Sequence, residues 1–245
     1  MPRAHIILND VHVDFPIYGA RHRSFKNTVL RAATGGMIAE DAGKHVTVKA
    51  LDGVSFELRE GDRLGIVGHN GSGKSTLLRV LAGAYEPVAG RVDIRGRVAS
   101  MLDITLGLDY EATGYENIHL RGVIMGFTPR QIGALVDEIA AFSELGDYLD
   151  MPMRTYSSGM GLRLAFAVST CVRADILLMD EWLSVGDEAF KRKAQDRLAK
   201  LVNEAKILVL ASHEESLIRS NCNKLMRLSH GQVVSFESIE AEPNS

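Results

Sequence analysis

A glycine-rich stretch between residues 68 and 75 has the composition of a phosphate-binding loop. It reads Gly68-His69-Asn70-Gly71-Ser72-Gly73-Lys74-Ser75, and it lies between a short apolar segment and a predicted helix that begins at Thr76. Glycines let successive backbone N–H groups curl around phosphate oxygens. Lys74 would reach the β- and γ-phosphates of a nucleoside triphosphate, and the Ser75 hydroxyl would hold Mg²⁺. Because a chance glycine-rich turn rarely lies between a strand and a helix, the pattern predicts a nucleotide site.

A second candidate group is a pair of adjacent carboxylates, Asp180 and Glu181. They follow the apolar run Ile176–Met179, which predicts a buried strand. Asp180 is placed to bind the magnesium shell, and Glu181 is placed to polarise an attacking water. On its own, a solvated Asp-Glu pair at the end of a strand is common. Combined with the phosphate loop upstream, the pair predicts hydrolysis of a nucleoside triphosphate.

The elements that must position these groups alternate along the chain. Residues 6–15 predict a strand at the edge of a sheet, and further strands are predicted at 54–58, 64–67, 176–179, 207–210, 224–228 and 232–236. Apolar residues at three- and four-residue spacing predict helices at 76–81, 128–139, 164–171 and 190–201. Thr128, Pro129 and Gln131 form a helix start with a capping box. This alternation favours an α/β core with a parallel sheet, and the helical middle, about residues 105–170, predicts an inserted lobe.

Composition excludes several classes of protein. The 245 residues carry 28 Lys and Arg against 31 Asp and Glu, so the net charge is −3 and the basic excess of a general nucleic-acid binder is missing. The apolar runs are too short to span a bilayer, and the first residues do not form a signal peptide. The two cysteines, Cys171 and Cys222, are too few for a disulfide scaffold or a cysteine-rich zinc site. We expect both to be buried apolar residues in a reducing cytosol.

A third motif lies before the carboxylate strand, where Tyr156-Ser157-Ser158-Gly159-Met160 precedes a helix that carries Arg163. Small serine and glycine residues leave backbone donors and the helix N-terminus open to an anion. Here the chain resembles the ATP-binding subunits of ABC transporters, although their Leu-Ser-Gly-Gly-Gln signature is altered at Tyr156, Ser158 and Met160. The resemblance implies that Ser157, Ser158 and Gly159 bind the γ-phosphate; N-capping by Ser157 or Ser158 is compatible with that role.

The resemblance continues beyond the carboxylates. Ser184–Asp187 is similar to the D-loop of the family, which implies that Asp187 belongs to the nucleotide site, and His213 is similar to its switch histidine. The glutamine of the family's Q-loop is missing, and its place falls at residues 103–105. Asp103 either contacts a metal-bound water or is a solvated loop carboxylate. The aromatic residue that stacks on adenine is Phe15 or Tyr18, and the sequence leaves this choice open.

Within the ABC class, the chain is most similar to the ATPases of polysaccharide export systems for O-antigen, capsule and teichoic acid. The residues that carry this likeness are Thr113–Ile118, Phe142–Gly146, Tyr156–Met160, Arg163–Val168 and Val185–Asp187. It implies one ABC ATP-binding domain over residues 1–245, with a P-loop NTPase core built on a parallel-stranded sheet, an antiparallel β subdomain and an inserted helical subdomain. Some O-antigen export ATPases carry a further carbohydrate-binding domain, which we do not expect here because the sequence stops at Ser245.

The same resemblance implies a mode of action. ATP and Mg²⁺ would be the cofactors of a homodimer in which two ATP molecules lie between facing subunits, each held by the P-loop of one chain and the signature loop of the other. The dimer would bind an integral membrane permease at the cytoplasmic face of the bacterial inner membrane, and would drive export of a lipid-linked polysaccharide.

Two alternative functions, and the role of one insertion, are left open by the sequence. A soluble ABC-type ATPase acting on nucleic acid would be expected to show a coiled-coil insertion, zinc cysteines or tandem ATPase units, which this sequence lacks. An ABC ATPase for another substrate, such as teichoic acid or a drug, is the other alternative. The basic insertion at 19–46 contains Arg21, Arg23, Lys26 and Arg31 beside Phe25, Val29 and Leu30. We interpret it as an amphipathic element facing the permease and lipid headgroups, with a solvated loop as the alternative.

Overall fold

The first strands of the chain build an antiparallel sheet. The structure, a computed structural model, describes residues 3–17, 38–40, 46–181 and 188–239. Strand β1 (His5–Ile17) pairs along its length with β3 (Val46–Arg59), and β2 (Ile38–Glu40) and β5 (Ala89–Arg95) complete the sheet in the order β2-β3-β1-β5. The prediction that residues 6–15 lie at a sheet edge is therefore wrong, because β1 has a partner on each side. Its alternation reports one buried face rather than a free edge.

A second sheet holds six strands in the order β10-β9-β4-β8-β7-β6. These are β4 (Arg63–Val67), β6 (Val98–Ser100), β7 (Ile176–Asp180), β8 (Ile207–Ala211), β9 (Lys224–Ser229) and β10 (Gln232–Ser238). All neighbours are parallel except the hairpin β9–β10. The central strands β7 and β8 are almost wholly buried, which explains their continuous apolar runs.

Seven α-helices complete the described residues. They are α1 (Lys74–Leu81), α2 (Gly114–Ile124), α3 (Pro129–Gly133), α4 (Val136–Ser143), α5 (Ser158–Ser169), α6 (Glu188–Glu204) and α7 (Glu215–Asn221), with 3₁₀ turns at Gly146–Asp150 and Met153–Thr155. The predicted capping box is confirmed, because Thr128 accepts from the Gln131 N–H while Gln131 accepts from the Thr128 N–H. The predicted helix 128–139 is divided into α3 and α4, and the break follows Gly133, a poor helix former.

The described residues fall into two units. One contains both sheets and comprises the described parts of 1–102, 175–181 and 206–245. The other is helical and comprises the described parts of 103–174 and 182–205. None of the described helices combines the length and the apolar character that crossing a bilayer requires.

The buried amide of Asn117 holds the loop that precedes α2 in the helical unit. This side chain donates to the carbonyl oxygens of Asp109 at 2.8 Å and Thr113 at 2.9 Å, and it accepts from the Asp109 N–H at 2.8 Å. Next to it, a Cβ on Gly114 would lie 2.4 Å from the Tyr156 hydroxyl, which donates to the Tyr148 carbonyl at 2.6 Å. The segment Thr113–Ile118 and Tyr156, which departs from the usual signature, thus pack as one cluster. Burial raises the pKa of the Tyr156 phenol.

The two cysteines differ in their environment. Cys222 is buried as predicted, whereas Cys171 is only partly buried and its thiol donates to the Val168 carbonyl. Burial raises the pKa of Cys171 to about 11 and that of Cys222 to about 12. Both thiols are therefore protonated at neutral pH, which agrees with structural rather than reactive cysteines.

Asn117→Ala should destabilise the chain, because it removes both side-chain hydrogen bonds that hold the backbone of Asp109 and leaves a buried position without its amide. We expect the free energy of unfolding to fall by about 2–3 kcal/mol, measured by urea denaturation followed by circular dichroism. His119→Ala, an exposed position on the same helix, is the matched control and should change it by less than about 0.5 kcal/mol. Equal losses in the two variants would contradict the role of the amide.

Candidate functional site

The candidate site is formed where three parallel strands end at one edge of the second sheet. Ala211 at the end of β8 is paired in register with Ile66 of β4 and with Asp180 of β7. The pairing continues past the strand ends, since the Ser212 N–H donates to the Ile66 carbonyl at 3.1 Å and the Glu181 N–H to the Ala211 carbonyl at 2.8 Å. The residues that follow these ends, predicted from separate motifs, are thereby brought together.

The phosphate-loop residues lie between β4 and α1, as predicted. The Lys74 ammonium lies over the loop and donates to the carbonyl oxygens of Gly68 at 2.7 Å and His69 at 3.2 Å. Gly73 precedes α1 in a left-handed conformation, with φ of 108°, and a Cβ there would lie 2.8 Å from the Ala50 carbonyl oxygen. Only glycine fits this position, which turns the chain from the loop into the helix.

Ser75 and Asp180 meet beside this loop. The Ser75 hydroxyl donates to the Asp180 carboxylate at 2.7 Å, across a separation of 105 residues in the chain. Hydroxyl and carboxylate oxygens are donors that Mg²⁺ prefers, and a magnesium ion that bridges nucleotide phosphates needs only one or two protein ligands. The pair fits that ion, although the described residues contain no cluster of three His, Cys, Asp or Glu side chains that could hold a metal alone.

Glu181 and His213 form the second contact of the site. Nδ1 of His213 lies 2.7 Å from Oε1 of Glu181, and both side chains are substantially exposed to the cleft. Glu181 has a φ of 72°, in the left-handed region that disfavours residues other than glycine. The chain therefore turns sharply immediately after Asp180.

These groups line one open cleft of about 600 Å³ in the sheet-containing unit. That volume is within the range of small-molecule sites. Phe15 also lines the cleft with 37% of its surface exposed, and its ring meets that of Tyr85 edge-on at 5.3 Å. Tyr18, the other candidate for stacking on a base, is outside the described residues. The cleft is lined by Phe15, Val48, Ala50, Asn70, Gly71, Ser72, Gly73, Lys74, Ser75, Thr76, Leu102, Asp180, Glu181 and His213.

The signature residues belong to the helical unit. Ser157 is the N-cap of α5 and accepts from the Met160 N–H at 3.3 Å, so the predicted capping is confirmed. Ser157 and Ser158 are exposed at this helix start. Asp103 is exposed and accepts from the Thr105 hydroxyl at 3.1 Å, and whether it replaces the glutamine stays a prediction.

Other sequence interpretations lie outside the described residues. These are the D-loop Ser184–Asp187 and almost all of the basic insertion at 19–46. Of that insertion, only Ile38–Glu40, which form strand β2, and Val46, the first residue of β3, are described.

The role of Arg121 in the helical unit was not predicted from the sequence. Arg121 is 6% exposed, and its guanidinium donates to the Leu106 carbonyl and, at 2.9 Å, to the Ser169 hydroxyl. Burial lowers its pKa, and its Nε has no hydrogen-bond partner among the described residues. The side chain ties the segment that follows Asp103 to the end of α5. An arginine beside the apolar stretch Gly122–Ile124 was the only signal that could have found it.

Comparison with known proteins places this geometry in a family. Residues 51–184, more than half of the chain, match the family model described as "ABC transporter". The chain belongs to the ABC transporter family. As a member of this family it is an ATP-hydrolysing enzyme, as predicted.

Three curated relatives are similar over much of the chain. The O-antigen export system ATP-binding protein RfbE of Yersinia enterocolitica is 45% identical over 93% of this chain and 95% of its own length. RfbB of Myxococcus xanthus, with the same description, is 41% identical over 93% of this chain and 52% of its own length. The teichoic acids export ATP-binding protein TagH of Bacillus anthracis is 44% identical over 78% of this chain and 35% of its own length. The chain thus spans nearly all of the first relative, about half of the second and about a third of the third.

Solved structures confirm the predicted fold class. A dimeric ATP-binding cassette in a post-hydrolysis state, bound to ADP and Pi, has a TM-score of 0.66 at 18% identity, covering 97% of this chain and all of that one. An ATP-binding subunit of an ABC transporter has the same TM-score and identity over 95% of this chain and 89% of its own. At this identity the likeness concerns the fold alone.

Proposed function

We propose that this ABC ATPase drives export of a lipid-linked polysaccharide of the O-antigen type through a separate membrane permease. The observation that carries the proposal is the similarity to the Yersinia protein, which extends over nearly the full length of both chains. The other relatives named above are also export ATP-binding proteins, so nucleic acid is not favoured as the substrate. Teichoic acid export is the nearest alternative, because the Bacillus anthracis protein is 44% identical over 78% of this chain.

The chemistry proposed for the site assigns one task to each group. Lys74 and the N–H groups of the loop from Gly68 to Thr76 bind the phosphates, and Phe15 stacks on the base. Ser75 and Asp180 hold Mg²⁺, which would neutralise charge on the phosphate oxygens. Glu181 accepts a proton from the attacking water, and His213, in contact with the carboxylate at 2.7 Å, keeps it oriented towards the cleft.

A homodimer completes the proposed site. Ser157, Ser158 and Gly159 of the facing subunit would approach the γ-phosphate, since they leave an exposed helix start that favours an anion. Asp187 would belong to the same composite site. ATP binding would then close the dimer and hydrolysis would release it.

An exposed apolar surface on the helical unit supports the proposal that the ATPase docks on a permease. Leu120, Val123 and Ile124 lie at helical spacing on α2 and are 40%, 56% and 56% exposed. Leu106, at 65% exposed, precedes Gly107, whose backbone lies against the Ile124 side chain. Contiguous exposed apolar side chains of this kind indicate a covered interface. We infer that the permease covers them, which would place the ATPase at the cytoplasmic face of the inner membrane.

Glu181→Gln should keep ATP binding and lose hydrolysis by about 100-fold or more, because the amide cannot accept the proton of the water. Purified protein would be assayed for phosphate release and for binding of a fluorescent ATP analogue, and gel filtration with ATP should detect a trapped dimer. Lys74→Ala, in contrast, should lose binding itself. Near-normal turnover of Glu181→Gln would remove Glu181 from the role of base.

A mixture of Lys74→Ala and Ser157→Arg chains tests the composite site. Each variant alone has no intact site, whereas a mixed dimer has one P-loop and one signature loop that face each other. Partial recovery of ATPase activity on mixing is therefore expected. If mixed dimers are shown to form by differential tags and no activity returns, either each chain hydrolyses ATP alone or both sites must be intact.

Leu120→Glu combined with Ile124→Glu tests the permease surface and the export function together. In cells whose own copy is deleted, this variant should lose surface polysaccharide and co-purification with the permease, because two charges would be buried at the interface. The ATPase activity of the purified chain should stay within about twofold of wild type. Val234→Glu, a similarly exposed apolar position on β10, is the control and should export normally. Normal export by the double variant would contradict the proposal that the permease covers this surface.

A further inference from the structure

The turn between β9 and β10 lies directly against the phosphate loop. Oγ of Ser229 is 3.5 Å from Nε2 of His69, and the ring of His230 is 4.8 Å from the His69 ring. The Gly231 N–H donates to the Ser72 carbonyl at 2.9 Å. All three residues of the turn thus contact the loop.

Gly231 also joins the loop to strand β3. Its carbonyl accepts from the Asp52 N–H at 2.9 Å, so one residue bridges Ser72 and Asp52 through main-chain hydrogen bonds. Its φ is +77°, and a Cβ there would lie 2.8 Å from the Ala50 oxygen and 3.1 Å from the Leu51 Cα. Because these neighbours are backbone, a side chain at 231 must displace the turn.

The hydrogen bond to Ser72 reaches the middle of the phosphate loop. Ser72 is fully buried, its N–H donates to the His69 carbonyl at 3.1 Å, and its carbonyl is the acceptor for Gly231. The direction of the neighbouring N–H groups depends on this fixed turn of backbone. Phosphate binding by successive N–H groups requires that direction to be set before the ligand arrives.

We propose that the turn Ser229–Gly231 is a positioning element that holds the phosphate loop in its phosphate-binding conformation and so determines the affinity for ATP. The proposal rests on the proposed function of the loop as the ATP site. The three residues do not line the cleft, and they act on the nucleotide through His69 and Ser72. Loss of the turn should therefore weaken ATP binding more than it slows the chemical step.

Gly231→Ala and a matched control, Gly83→Ala, separate positioning from general strain. Gly83 has a nearly identical φ of +73°, but a Cβ there meets nothing within 4 Å. We expect Gly231→Ala to raise the Kd and KM for ATP about tenfold, equivalent to roughly 1.4 kcal/mol, with kcat changed much less. Gly83→Ala should keep both constants within about twofold of wild type, although the left-handed φ strains an alanine there and should lower the Tm. The same Kd in the two variants would overturn the proposal.

A second variant tests the same proposal if Gly231→Ala does not fold. His230 has a φ of 50°, which asparagine tolerates, so Ser229→Ala with His230→Asn retains the turn while removing both side-chain contacts to His69. We expect its Kd for a fluorescent ATP analogue to rise about threefold, or roughly 0.65 kcal/mol. An unchanged Kd in this folded double variant would overturn the proposal. Wild-type protein that binds no ATP would instead contradict the proposed function.

Discussion

The register of three parallel strands at Ala211 is the constraint on which the site depends. Ala211 is paired with Ile66 on one side and with Asp180 on the other, so one residue fixes where β4 and β7 end relative to β8. A slip of one residue would move a strand end by about 3.3 Å. That distance is enough to break both the Ser75–Asp180 and the Glu181–His213 contacts, each of which is 2.7 Å long.

Local motifs could be predicted from the sequence, whereas strand neighbours could not. The phosphate loop, the carboxylates and the Thr128 capping box each depend on residues adjacent in the chain, and the structure places the first two in one cleft. Strand β5 escaped prediction because it is polar and mostly exposed, so its pairing with β1 leaves little trace in its sequence. The position of β1 was misjudged for a related reason, since alternation reveals which face is buried and says nothing of neighbours.

The sequence segments that resemble the export family, Thr113–Ile118 and Tyr156–Met160, contain residues that pack against one another in the helical unit. Gly114 is required because the Tyr156 hydroxyl occupies the space of a side chain, and Asn117 is required because its amide closes the loop at Asp109. Tyr156 replaces the leucine of the general signature and directly precedes the N-cap Ser157. These residues therefore set how the segment that leads into α5 is held, a packing role that requires no contact with substrate.

The backbone at Glu181 explains how two adjacent carboxylates serve one cleft. In a regular strand, successive side chains point to opposite faces, so Asp180 and Glu181 could not both line it. The left-handed φ of 72° at Glu181 ends the strand geometry at that residue, at a cost of about 1–3 kcal/mol. The Glu181 N–H bond to the Ala211 carbonyl and the contact with His213 offset part of this cost. The strain is thus confined to the residue whose side chain faces both the cleft and the histidine, and the motif alone gave no sign of it.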